Sequence, residues 1–113
     1  MKRILLLVIF ILTFASYVHA ETFASIKTAD ALIYTGGCVF TSFSITPDGT
    51  NPVTVTFYDN TSGSGTKILN TMTFAGDEGP IAFPFKIQKR CFNGIYADIT
   101  TAGTVEYAVF WER

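Results

Sequence analysis

Residues 53–74 read VTVTFYDNTSGSGTKILNTMTF. Val53, Val55 and Phe57 alternate with Thr54, Thr56 and Tyr58, so the segment has one apolar and one amphipathic face. That is the period of a half-buried strand. Asn60 to Thr66, NTSGSGT, has the small and glycine residues of a flexible hairpin loop. Beyond it Ile68, Asn70, Met72 and Phe74 alternate with Leu69, Thr71 and Thr73. The stretch therefore predicts a strand, a loop and a returning strand.

The same rhythm continues outward. Ile81, Phe83, Phe85 and Ile87 alternate with Ala82, Pro84, Lys86 and Gln88, and Val105, Tyr107, Val109 and Trp111 with Glu106, Ala108 and Phe110. Turn residues punctuate these runs: Gly36-Gly37, PDGTNP at 47–52, GDEGP at 76–80, Asn93-Gly94 and TAG at 101–103. Pro84 cannot donate to a ladder, which suggests an edge or bulge position. Seven strands are expected, near 31–35, 38–46, 53–59, 67–75, 81–89, 95–100 and 104–112. Short strands with alternating faces close a core best as two packed sheets. The expected fold is all-β, a two-sheet antiparallel β-sandwich of jelly-roll-like or immunoglobulin-like topology, over residues 31–113. Residues 21–30 are either an N-terminal arm or an extra edge strand. No window carries a helical stripe, and Thr, Phe and Ile outnumber the two leucines, Leu32 and Leu69, of residues 21–113.

Residues 1–20 do not belong to that domain. Lys2 and Arg3 precede the apolar run Ile4–Leu12, and Val18-His19-Ala20 matches a signal-peptidase site. Cleavage before Glu21 leaves 93 of the 113 residues, enough for one domain. The competing reading, an uncleaved anchor, is weakened by an apolar core shorter than the ~20 residues that span a bilayer. The chain is expected to be secreted or periplasmic, with no membrane contact after cleavage and a cell or virion surface as its destination. The cut removes Lys2, Arg3 and the single histidine, His19, leaving 6 basic and 9 acidic side chains. An acidic domain of this kind is a poor partner for nucleic acid. Without imidazole it lacks the usual general base and the commonest metal ligand, so no enzyme activity, cofactor or metal is expected.

Two cysteines remain, Cys38 and Cys91. An even pair in an oxidising compartment reads as one disulfide, closing a 54-residue loop worth about 4 kcal/mol. The alternative is a pair of buried free thiols. Asp48, Asp59, Asp77 and Glu78 lie at turns, where backbone hydrogen bonding explains them better than calcium does. Asp98 and Glu106 could face each other across a terminal hairpin, which invites a glycosidase reading, yet solvated strand residues account for them. Lys86, Lys89 and Arg90 form a small basic group near Cys91, expected to protect a sheet edge. Tyr58, Tyr96 and Phe110 sit off the apolar parity and are candidates for an exposed patch that meets a partner chain or a glycan.

The segments TPDGTNPVTVTFYDNTSGSGTKI and CFNGIYADITTAGTVEYAVFW resemble a recurrent small β module of uncharacterised tailed-phage and environmental viral proteins. The matching positions are Val53, Val55, Tyr58, Asp59, Gly65, Thr66, Asn93, Gly94, Ile95 and Tyr96. The resemblance covers roughly residues 31–112 and implies a virion-associated or surface binding role without catalytic residues. The export signal departs from it, because a virion part assembled in the cytoplasm needs none. The expected function is an exported, non-catalytic structural or interaction module that associates with itself or with a protein partner. The alternative is a secreted or periplasmic protein that binds a glycan or a small ligand.

Overall fold

The computed structural model describes residues 22–82 and 87–113. The expected export segment 1–20, Glu21, Phe83, Pro84, Phe85 and Lys86 lie outside the described residues. All regular structure in the described residues is β. The nine strands are β1 Thr22–Lys27, β2 Ala31–Thr35, β3 Cys38–Pro47, β4 Val53–Tyr58, β5 Met72–Phe74, β6 Ile81–Ala82, β7 Lys89–Cys91, β8 Gly94–Thr101 and β9 Val105–Glu112.

They form two antiparallel sheets. One runs β1-β9-β3-β6, with β7 sharing β6's flank of β3, and the other runs β2-β8-β4-β5. The pairing is nested: β1 with β9, β2 with β8, β3 with β6 and β7, β4 with β5. Because β6 pairs with β3 at Ser44 and Ile45, and β7 at Cys38 to Phe40, the two act as one interrupted strand. A long hairpin folded over on itself in this way is a jelly roll. The immunoglobulin-like alternative is thereby removed.

The inner faces of β3, β4, β8 and β9 build the core. Val53, Val55 and Phe57 are fully buried, as the alternation requires. The rings of Phe40 and Phe43 each lie 5.0 Å from that of Phe57, and Phe74 meets Phe43 edge-on. Phe40 and Phe43 have opposite parity yet both point inward, because the register of β3 against β9 shifts between Phe40 and Ser42. Thr41 sits at that bulge, buried, and its hydroxyl donates to the Phe110 carbonyl at 2.9 Å. Extra residues of this kind reverse the facing of everything beyond them. Trp111 packs between Phe23 and Tyr34, and its indole N–H is buried without an acceptor among the described residues.

Four expectations change. The returning strand 67–75 is ordered as β only at 72–74, with Lys67 bridging Tyr58. Five steps separate Lys67 from Met72 but three separate Tyr58 from Val55, so two extra residues interrupt the ladder; Leu69 still packs on the core and Asn70 is exposed. The strand expected at 81–89 is present as β6 and β7. β8 and β9 lie in different sheets, so Asp98 and Glu106 do not face each other across a hairpin. Finally, Cys38 and Cys91 are register partners across β3 and β7, but they are free thiols and the expected disulfide is absent. The Cys91 thiol donates instead to the Lys89 carbonyl at 3.7 Å. Burial raises the pKa of both thiols, that of Cys91 to about 12.

Candidate functional site

The register sorts the loops between the two ends of the sandwich. Gly36-Gly37, residues 59–67 and Phe92-Asn93 gather where β3 begins and β9 ends. Residues 28–30, 48–52, 75–80 and 102–104 gather at the other end.

Asp59 organises the first end. Its carboxylate accepts the backbone N–H of Phe92 (3.0 and 3.1 Å), Asn93 (2.8 Å) and Gly94 (3.3 Å). The Asn93 carbonyl in turn accepts the Gly36 N–H at 2.9 Å. Gly94 has φ +149°, and a Cβ there would collide with the Tyr34 carbonyl, so the tight passage requires glycine. Within the neighbouring loop the Asn60 side-chain amide donates to the Ser64 carbonyl at 2.8 Å. These bonds leave Phe92 displayed on a fixed turn, 72% exposed. The Arg90 guanidinium stands over its ring, 5.8 Å from the centroid.

Beside this turn is a cleft of about 500 Å³, bounded by Asp59, Lys67, Lys89, Arg90, Phe92 and Asn93 among others. Lys67 Nζ donates to Thr71 Oγ1 at 3.0 Å. No salt bridge joins Lys89 or Arg90 to a carboxylate among the described residues. Such a site can hold an acidic group by charge and an apolar body against Phe92.

Asp48 organises the opposite end. It accepts the N–H of Thr50 (2.9 Å), Asn51 (2.8 Å) and Thr104 (3.2 Å), and the Asn51 side-chain amide at 2.9 Å. The Asn51 backbone bond, followed by its side-chain amide, holds the Asp48 carboxyl well below the usual carboxylate range. Gly76 is buried against the Thr50 backbone, so the 75–80 loop rests on this turn and carries Asp77 and Glu78 outward, both exposed.

The residues expected to form one aromatic patch are divided. Tyr58 and Tyr96 are direct register partners on the outer face of the β2-β8-β4-β5 sheet, half-buried, with Gly63 resting on the Tyr96 ring. Phe110 lies on the outer face of the other sheet, opposite Ser42. The exposed aromatic that sequence reasoning missed is Phe92. Its signal was its place between Cys91 and the Asn93-Gly94 turn. The Tyr-Asp and Asn-Gly segments meet each other, since Asp59 binds the Asn93 and Gly94 amides, and their role there is to fasten the fold. Of the carboxylates weighed for calcium, Asp48 and Asp59 are taken up by amides, and no three metal-ligating side chains converge among the described residues.

No protein-family model and no curated protein matches the sequence. Among solved structures the chain is similar to one from Bacillus endospore appendages, described as a novel family of disulfide-linked pili. The likeness covers 83% of this chain and 85% of that one, at 22% identity and a TM-score of 0.52, and what it shows is a shared fold.

Proposed function

We propose that this chain is an exported, non-catalytic structural module that associates with copies of itself at a cell surface. The observation that carries the reading is the likeness over nearly the whole domain to a subunit described as forming pili. Three features of the chain support it. The N-terminal segment has the pattern of an export signal. Among the described residues no strand pairs with the outer edge of β1, and an open edge is a template for further pairing. Ile26, Leu32 and Phe92 are exposed apolar residues on a 93-residue domain, and their contact with another protein would remove them from water.

The covalent linkage described for the pili does not extend to Cys38 and Cys91. Both are buried, 1% and 0% exposed, out of reach of a neighbouring chain. Association is therefore non-covalent and insensitive to reductant. Light scattering and negative-stain microscopy of the exported protein, with and without dithiothreitol, test this. Oligomers or fibres of equal abundance in both conditions are expected. A monodisperse monomer would remove the proposal, and assemblies that dissolve on reduction would remove its non-covalent part.

A further inference from the structure

Charge is divided between the two ends of the sandwich. Lys67, Lys89, Arg90 and Arg113 lie at the end that holds the cleft, against Asp59 and Glu112. Asp59 already accepts three backbone amides there. The other end carries Asp30, Asp48, Asp77, Glu78 and Glu106, against Lys27. Of these, Asp77, Glu78 and Glu106 are exposed and have no partner among the described residues. Among the described residues, four of the five cations thus lie at the end that holds the cleft, and the exposed acids Asp77, Glu78 and Glu106 lie at the other.

We infer that copies of this chain join head to tail, the Lys89–Arg90 cleft of one receiving the Asp77–Glu78 loop of the next. This rests on the self-association proposed above and adds its geometry. Each end is built to meet its counterpart without rearrangement. The 75–80 loop is braced on the Thr50 backbone, and the 92–93 turn is braced on Asp59. Arg90 and Lys89 offer charge-assisted donors to carboxylates, and the exposed Phe92 ring supplies apolar contact at the centre of the joint. The two contacting surfaces differ, so the interface is heterologous. Repetition of such a contact gives a ring or an open fibre, not a closed two-fold dimer. Like ends repel, which sets the polarity.

The test is charge exchange in the secreted protein, read by sedimentation velocity at low ionic strength. One variant carries Lys89→Glu and Arg90→Glu, the other Asp77→Lys and Glu78→Lys, with circular dichroism confirming that each is folded. Each variant alone should associate about tenfold or more weakly than the native chain. An equimolar mixture should regain association, because every junction then pairs opposite charges again. Native-like association of either folded variant alone, or a mixture that stays monomeric, would overturn the head-to-tail contact while leaving self-association standing. A native chain that is itself monomeric would overturn the functional proposal as well. Should a variant misfold, salt decides on the native chain. Association should fall about tenfold as the screening length drops from about 10 Å to about 3 Å, and salt-independent association would contradict the contact.

Discussion

Asp59 and Asp48 do the same work at opposite ends of the molecule. Each turns a run of backbone N–H groups toward one carboxylate and so fixes the loops that the ends present. Asp59→Ala removes the acceptor of three amides, and leaving such groups unpaired costs roughly 1–3 kcal/mol. Thermal denaturation should show a clearly lower midpoint for this variant, whereas an unchanged melt would mean that water replaces the carboxylate without loss. Asp48 makes a prediction in pH. Its folded-state pKa lies below the unfolded value, so its stabilisation is complete above about pH 4 and is lost as pH falls toward the lower folded pKa. The gap in melting temperature between the native chain and Asp48→Ala should accordingly close with acidification below that point. A gap that stays constant into strong acid would contradict the assignment. Both aspartates were legible as turn residues, but their partners were not. Asp59 reaches amides 33 to 35 positions away, and no local pattern encodes that.

Among elements, β4 was the most legible and is the most constrained. Strict alternation from Val53 to Phe57 gives three side chains with no exposure, and Phe57 touches both Phe40 and Phe43. Phe57→Ala should cost about 3–5 kcal/mol. A domain of this size has roughly 5–9 kcal/mol in all, so chemical denaturation should find the variant near the edge of folding. A loss below about 1 kcal/mol would show that the aromatic cluster is not the centre of the core. Strand β3 was read less well because of the bulge at Thr41. It puts Phe40 and Phe43 on one face although their numbers differ by an odd count, and period-two reasoning assigns them to opposite faces. The stretch 67–75 failed for a related reason. Its apolar residues keep period two, but two surplus residues between Lys67 and Met72 break the register, and only the Val53–Phe74 to Val55–Met72 pairing survives as a ladder.

At the scale of the whole molecule, the sequence limited the fold to a two-sheet sandwich but left its topology open. The nested pairing joins β1 to β9 and β2 to β8, contacts that span most of the domain, whereas alternation and turn residues report only on neighbours along the chain. The charge division was hidden for the same reason. Lys67 and Lys89–Arg90 come from segments distant in the chain, as do Asp30, Asp77–Glu78 and Glu106, and only the jelly roll decides which of them share an end. Single exposed ion pairs contribute at most about 1 kcal/mol, so a joint built on two or three of them is weak unless the Phe92 contact adds to it and the contact repeats along a fibre. Growth by one repeated heterologous contact has a plain signature in concentration. The decisive measurement is sedimentation velocity of residues 21–113 at low ionic strength, over roughly a hundredfold range of concentration. Stepwise head-to-tail growth predicts a weight-average sedimentation coefficient that keeps rising with concentration, without a plateau at dimer. A single boundary at the monomer value throughout would contradict self-association, and a plateau at dimer would contradict the head-to-tail joint.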